Sequence, residues 1–485
     1  MQGDITSNPH YRAALAIARR LREAGHQAFF AGGCVRDLLL GLAPKDFDVA
    51  TSATPDQIVA LFPKTFSVGA HFGVILVCTA QQDEPDIATE SGALGERSRL
   101  AGVVEVATFR SDGAYSDGRR PDAVRYTTDP REDVLRRDFT INGLLLDPLA
   151  TGDAASATLD FVHGREDLAR GLIRAIGDPS LRFAEDKLRM LRAVRFAARL
   201  NFQIDPATSA AIRRHAVEIA HVSAERIRDE LTRILTEGGA RRGFELLFDH
   251  GLLAQVLPEA VRMRGVSQPP EFHPEGDVWT HTMLMLEKLP AGSSATLAWG
   301  ALLHDIGKPA TYQPHDPAVP NSRIHFYGHV EAGVRIAETV LARLRFSNDD
   351  TAQIVSLVRN HMRFGDVLQM KQSTLKRFLR LPRFEEHLAL HRLDALSAHG
   401  DLTCYDFARA HFEAEPAPNL RTAPLLTGRD LIAAGYRPSP QFKPMLALAE
   451  DVQLEGSITT REDALALVQA TYPRPSTSPN PTPRK

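Results

Sequence analysis

Apolar residues recur along the chain in two rhythms, and the rhythm changes near residue 160. Residues 9–24 carry Leu15, Ile17, Ala18 and Leu21 at helical spacing, and Gly25 closes that helix. The apolar run Ala28–Ala31 reads as a strand, Gly32 and Gly33 as a turn, and Val35, Leu38 and Leu39 as one side of a helix. A second strand contains DFDV, residues 46–49. Thr54-Pro55-Asp56 is a helix start leading into Ile58, Val59 and Leu61. Strand-like runs cover Thr65–Val68, Val74–Cys78 and Val103–Phe109, with a polar loop expected at 81–101. Residues 111–133, rich in Gly, Ser, Asp and Pro, read as a mobile loop, and Leu144–Leu146 resumes as a buried strand. These elements predict a small mixed α/β head with helices on one side of its sheet, ending near residue 150.

Beyond 160 the strand signals fade. Residues from about Leu181 to Leu200 predict one long helix without Gly or Pro, in which Asp186, Arg189, Arg192 and Arg195 recur every three positions. Each such step turns about 300°, so the row drifts roughly 60° per step. Asp186 and Arg189 can address one ligand, while Arg195 lies nearly opposite Asp186. Taken alone, the row reads as a charged solvent face laced by i,i+3 ion pairs. Residues 221–235, with Ser223, Arg226 and Arg228, read as a capped structural helix, and 244–259 as a helix-turn-helix. Helical patches recur at 427–435 and 461–471, before a Pro-, Ser- and Thr-rich tail too poor in apolar groups to fold. The implied division is a head (1–150), a helical neck and body (151–265), a third all-α domain (266–410), a helical C-terminal region (411–470) and the tail (471–485).

Composition narrows the class. A chain of 485 residues with 43% hydrophobic and 24% charged residues is ordinary for a multidomain globular protein. Its net charge of −3 says nothing for nucleic acid, but residues 182–242 hold 13 Arg and Lys against 8 Asp and Glu. Three scattered cysteines exclude a disulfide framework and a Cys-rich zinc site. No apolar run approaches the ~20 residues of a membrane span, so no membrane partner and a cytoplasmic setting are expected.

The chemistry concentrates at Phe29–Thr51, FFAGGCVRDLLLGLAPKDFDVAT. Glycines at the head of a helix let backbone approach a ligand and leave N–H groups for an anion. In a strand, Asp46 and Asp48 share one face, with Phe47 and Val49 on the other. Two adjacent carboxylates repel unless cations sit between them, so hard oxygen ligands beside an anion cradle read as a Mg²⁺–triphosphate site. The order G-G-x-V-R-D, then D-x-D, resembles the first motif of the nucleotidyltransferase superfamily that includes DNA polymerase beta. More closely it resembles class II tRNA nucleotidyltransferases (CCA-adding enzymes) and bacterial poly(A) polymerases, and the resemblance extends in family order over roughly 28–260. It implies Asp46 and Asp48 as catalytic Mg²⁺ ligands, Glu105 as a third ligand on a neighbouring strand, and Gly33, Arg36 and Arg137 as phosphate contacts. It also implies that E-D-x-x-R, with Asp186 and Arg189, reads the incoming base. A carboxylate accepts from the exocyclic amine of adenine or cytosine and repels the carbonyl of guanine or uracil. Arg192 and Arg195 then face phosphate or another part of the protein. The implied partners are tRNA, CTP and ATP; the implied product is a CCA end or its terminal A, with poly(A) synthesis as the alternative.

The second half gathers histidines. His281 in WTHTML, His304-Asp305 in LLHDIGKP and Asp394 in LDALSAHG follow the order H, HD, D. Singly, each reads as a packed core residue; together they resemble the HD-domain metal-dependent phosphohydrolases over roughly 275–400. That resemblance implies one divalent transition metal or Mg²⁺ on His281, His304, Asp305 and Asp394, with His329 and His361 at second-metal positions. Two other readings remain: an HD phosphohydrolase with a degenerate head, and an HD module that merely binds RNA.

Overall fold

The structure is a computed structural model and describes residues 5–69, 73–79, 102–113, 123–271, 273–318, 322–414 and 423–473. The chain divides into two compact units. One is Met1–Val261 with Leu289–Gly292 and Arg343–Arg345; the other is Arg262–Lys288, Ser293–Ala342 and Phe346–Lys485.

The first unit is built on a seven-stranded mixed sheet in the order β3-β4-β5-β2-β1-β8-β9. Its strands are β1 (Ala28–Ala31), β2 (Asp48–Thr51), β3 (Thr65–Gly69), β4 (Val74–Cys78), β5 (Val103–Thr108), β8 (Leu144–Leu146) and β9 (Thr158–Asp160). Only β2 and β5 pair in parallel. The expected strands form, except that β2 begins at Asp48 and leaves Asp46 and Phe47 of the DFDV strand just before it, and the sheet continues past residue 150: β9 pairs with β8.

Side-chain alternation along β1 decides the layers. Phe30 packs with Phe47 and with Tyr11 of helix α1 (Pro9–Glu23), ring centroids 5.4 and 5.7 Å away. Phe29 points to the opposite face, where it joins Ala31, Ala50, Phe109, Leu145 and Val134 in one cluster. Val134 belongs to the helix Pro130–Leu135, so both faces of the sheet are covered, not one. Two further helices flank the strands: α2 (Gly33–Leu39) leaves the glycine turn, and α3 (Pro55–Leu61) starts at a capping box of Thr54 and Gln57.

The stretch expected to be a mobile loop has structure at both ends. Strands β6 (Arg110–Asp112) and β7 (Val124–Tyr126) form an antiparallel ribbon, and Asp129 caps the helix that follows. The loop expected at 81–101 lies outside the described residues.

The helix expected over 181–200 is two helices. Pro179–Glu185 ends at Asp186, whose backbone is extended (φ −147°, ψ 106°), and Arg189–Leu200 starts afresh. The Asp186 carboxylate accepts the Leu188 N–H, a local bond that competes with helix continuation. The three-residue drift argument therefore fails for Asp186, which is not on the helix that carries Arg189. The neck is also not wholly helical: β10 (Leu172–Ile173) and β11 (Gln203–Ile204) make a short parallel pair.

Named elements of the second unit are helical. Trp299 is fully buried, its ring 5.2 Å from that of Phe346. The helices Gly428–Ala433, Phe442–Leu454 and Arg461–Thr471 share a separate apolar cluster around Leu431, Met445 and Val468. Of the disordered tail expected at 471–485, Thr471 ends the helix Arg461–Thr471 and 474–485 lies outside the described residues. Gly307 marks the tightest approach: a Cβ there would meet the His329 carbonyl oxygen at 2.1 Å and the Gly333 nitrogen at 2.4 Å. Gly307→Ala is expected to lower the thermal midpoint of this unit by several degrees, since overpacking backbone against backbone costs about 1–3 kcal/mol or more. Calorimetry of the variant checks this.

Candidate functional site

Sheet register makes the first site. Ala31 of β1 lies opposite Asp48, and Val49 of β2 pairs with Val106 of β5, which sets Asp48 and Glu105 one position back on adjacent strands. Phe47 is buried between Phe30 and Tyr11, so Asp46 and Asp48 are left on the other face. Asp46, Asp48 and Glu105 line one cleft of about 560 Å³. Burial pushes the Asp48 carboxyl well above the usual carboxylate range, Glu105 and Asp46 push it further, and Arg137 opposes them. Burial and Asp46 raise Glu105 in the same way, again against Arg137. Three carboxylates with one opposing guanidinium are under-compensated, and their oxygens are the hard donors that Mg²⁺ takes. The residues therefore fit a divalent cation.

The walls are basic, and their ion pairs hold the arginines in place. Arg137 donates to Asp133 (2.9 Å), and its Nη1 would lie 3.2 Å from a Cβ at Gly32, which has φ +74°. A side chain there would be strained and would crowd the guanidinium. Arg36 is buried, donates to Asp37 and Asn142 (2.8 and 2.7 Å) and lies over the Phe196 ring. Arg192 makes a two-pronged bond to Asp138 (2.9 and 2.6 Å). Burial raises that carboxyl, but Arg192 and Asn142 outweigh it and hold Asp138 at about 2. Arg195 also lines the cleft, with its Nε and Nη1 engaged by Glu230 and Glu237 (2.7 and 3.0 Å).

Asp186 and Arg189 both line the cleft despite the helix break. Arg189 donates to Glu185 (2.6 Å) and to the carbonyls of Arg182 and Arg136. Arg226, expected to be structural, also lines the cleft and grips both Asp186 oxygens at 3.2 and 2.7 Å. Lys45, Arg136, Arg199 and Arg233 complete a basic wall that sequence spacing does not reveal. Gly33 is at the helix start beside it.

The second site lies in the second unit. His304 and His361 follow the last residues of the helices Ala295–Leu303 and Asn348–Asn360, and His329 opens the helix His329–Arg343. In each, Nδ1 meets the carbonyl three residues back: Ala301 (2.9 Å), Phe326 (3.0 Å) and Val358 (2.7 Å). His281 Nδ1 instead meets Glu275 Oε1 at 2.6 Å. The opposite ring nitrogens, Nε2 of His281, His304, His329 and His361, are buried without hydrogen-bond partners, as is Asp305 Oδ1. His281 Nε2 lies 3.0 Å from Asp394 Oδ1 and His304 Nε2 lies 3.1 Å from Asp305 Oδ2, while Asp305 Oδ1 is 3.8 and 3.6 Å from the Nε2 atoms of His329 and His361. The donors fall into two adjacent groups, His281–His304–Asp394 and Asp305–His329–His361, linked by the contact of His304 with Asp305. Orphaned, inward-facing nitrogens and carboxylates are the donor set a divalent metal satisfies. Burial pushes His361 down to about 4, favouring its neutral, ligating form. Burial also lowers His281, but the adjacent carboxylates of Asp394 and Glu275 prevail and raise it to about 9, so metal binding there displaces a proton. Glu275, His273 and Lys308 were not anticipated; Lys308 Nζ is 2.7 Å from both Asp305 and Gln268.

Sheet topology, a three-carboxylate cleft and a histidine-rich helical centre define the class: a nucleotidyltransferase-type head joined in sequence to an HD-type module. Residues 28–174 match the poly A polymerase head domain, 201–263 the probable RNA and SrmB-binding site of polymerase A, and 277–398 the HD domain. The chain carries matches to these three family models, and the curated proteins it resembles are named CCA-adding enzyme. It is 39% identical over 248 residues to the CCA-adding enzyme of Geobacillus stearothermophilus, covering 51% of this chain and 55% of that relative. It is 36% identical over 284 residues to that of Lactobacillus johnsonii, covering 58% and 65%. The chain thus spans between about half and two thirds of the length of these relatives. In fold it resembles the Bacillus stearothermophilus CCA-adding enzyme in complex with CTP (TM-score 0.68, 24% identity, 96% and 98% coverage). It also resembles the Thermotoga maritima CCA-adding enzyme complexed with tRNA (TM-score 0.51, 17% identity, 95% of each chain).

The raised Asp48 carboxyl has a stability consequence. A carboxyl whose folded value exceeds its ordinary value of 3.8 favours folding only while protonated, so its contribution falls as pH rises from about 4 through the folded value. At neutral pH without divalent ions, Asp48→Asn is expected to stabilise the first unit by on the order of 1 kcal/mol, less as Mg²⁺ is added. Thermal melts at pH 4 to 8, with and without Mg²⁺, measure it.

Proposed function

We propose that this chain is a template-independent nucleotidyltransferase that completes the 3′ end of tRNA with CCA, or with its terminal A, from CTP and ATP, releasing pyrophosphate. One observation carries the reading: Asp46, Asp48 and Glu105 converge in a cleft walled by arginines. Mg²⁺ held by Asp46 and Asp48, with Glu105 beside them, supplies activation of the RNA 3′-hydroxyl and neutralisation of the departing pyrophosphate. Gly33, with Arg36 and Arg137 behind it, faces the triphosphate, and Arg192 lends positive charge to the same wall. Arg195, held by Glu230 and Glu237 through Nε and Nη1 at the cleft edge, acts through the frame. Asp186 and Arg189 read the base edge, and Asp186 does so by trading one of its Arg226 bonds for the exocyclic amine. The relatives' names and the structural likeness to enzymes held with CTP, ATP and tRNA support this substrate set. The catalytic head reaches at least Asp160, the neck follows it and the HD module spans about 266–410. The working location is the cytoplasm; no described helix is long and apolar enough to cross a membrane.

For the second unit we propose a metal-dependent phosphohydrolase acting on a phosphomonoester or cyclic phosphodiester, its metal on His281, His304, Asp305 and Asp394, with His329 and His361 able to hold a second. The unpartnered inward nitrogens support this.

The test uses tRNA transcripts lacking CCA, transcripts ending in CC, and an unrelated RNA, each with labelled CTP or ATP. Incorporation that stops at CCA, or at the single A after CC, is expected. A long A tail on any RNA overturns the proposal in favour of a poly(A) polymerase. No incorporation, with metal-stimulated phosphate release, leaves only the phosphohydrolase. In the same assay Asp186→Ala is expected to erode the preference for CTP and ATP over GTP and UTP by about 10-fold or more, since a good base-edge pair is worth about 1–3 kcal/mol. An unchanged preference would remove Asp186 from base reading.

A further inference from the structure

Glu275 stands outside the ligand set, yet it holds one of the ligands. His304 and His361 follow helix C-termini, where carbonyls are left over, and His329 opens its helix after a turn; in each the carbonyl three residues back meets Nδ1. His281 lies inside the helix Val278–Lys288, where the carbonyls of the preceding turn accept other donors: Asp277 the His281 N–H, Val278 the Thr282 hydroxyl. Its Nδ1 needs a side-chain acceptor, and Glu275 Oε1 supplies one at 2.6 Å.

The loop that presents Glu275 is built for that purpose. Gly276 has φ +120°, a conformation side chains disfavour. Asp277 fastens the far side by accepting from Gly265 N (2.6 Å) and Thr280 N (2.7 Å). On the near side His273 Nδ1 approaches the same Oε1 at 2.9 Å, its ring edge-on to His281 with centroids 4.9 Å apart. Among the described residues, His281 is the one ligand of this centre whose second nitrogen rests on a carboxylate.

We infer that Glu275 is a positioning residue for the HD metal. It accepts Nδ1–H from His281, so Nε2 carries the lone pair that faces Asp394 and the metal, and its charge makes that imidazole a stronger donor than its three neighbours. His273, Glu275 and His281 also lie close enough to hold an ion of their own. That ion would need His281 Nδ1 while the HD metal needs Nε2, and an imidazole serves both only by losing both ring protons. The positioning role and the separate site therefore exclude each other.

The inference rests on the metal reading of the HD centre, and one experiment separates the two. The full chain, with the head site silenced by Asp46→Asn and Asp48→Asn, is stripped with chelator and titrated with Co²⁺, following the visible d–d bands and calorimetry. Glu275→Gln keeps an acceptor of the same size without the charge. It is expected to weaken Co²⁺ binding 10- to 100-fold and shift the d–d bands, while the metal-free thermal midpoint stays within error of the parent. His273→Ala, which leaves the Glu275–His281 bond, is expected to change affinity less than about threefold on the same grounds. Undiminished affinity in Glu275→Gln overturns the role of Glu275 alone. Loss of one Co²⁺ per chain in both Glu275→Gln and His273→Ala overturns it in favour of a separate site. Absence of Co²⁺ binding in the parent overturns the metal reading and this inference with it.

Discussion

The mutual repulsion of Asp46, Asp48 and Glu105 is the constraint on which the first unit depends. Three carboxylates share a partly buried surface, and one guanidinium, Arg137, opposes them. Left to themselves such groups would turn to solvent or take up protons. Here they cannot turn away, because the backbone that carries them is fixed by strand register and by the burial of Phe47 between Phe30 and Tyr11. The apolar face of the sheet thus stores the electrostatic cost of the polar one, and a divalent cation relieves it.

The arginines around that cluster follow the same logic with the opposite sign. Arg137 rests on Asp133, Arg192 on Asp138, Arg195 on Glu230 and Glu237, and Arg226 on Asp186. Each pair fixes a long side chain before any ligand arrives, so less rotamer entropy is lost on binding. Asp186 is the exception in kind. Its partner Arg226 holds both carboxylate oxygens, the atoms that under the proposed function would accept a base amine.

How much of this the sequence disclosed depends on whether the signal was local. The glycine turn and the D-x-D spacing are properties of consecutive residues and point to Asp46 and Asp48, the family resemblance adds Glu105, and the structure brings all three to one cleft. The break at Asp186 was hidden because nothing between Leu181 and Leu200 is Gly or Pro; an Asp side chain competing for the Leu188 N–H ended the helix instead. Arg226 was hidden for a different reason. It is 40 residues from Asp186, and only the packing of two helices brings it there. The β6–β7 ribbon was obscured by turn-forming composition, although backbone pairing needs no apolar side chains.

The HD centre shows the same division more sharply. Its histidines were legible because they fall in apolar runs, and their order matched a pattern. Which nitrogen of each faces inward was not, since that depends on what Nδ1 finds. His304 and His361, just past helix C-termini, find a carbonyl that the end of the helix leaves over, and His329, opening its helix, uses the turn before it. A histidine inside a helix has no such gift and must recruit a side chain from elsewhere in the chain. Glu275 therefore could have been sought by asking which metal-ligating histidine lies mid-helix, and then which acidic residue one turn before that helix could reach back to it.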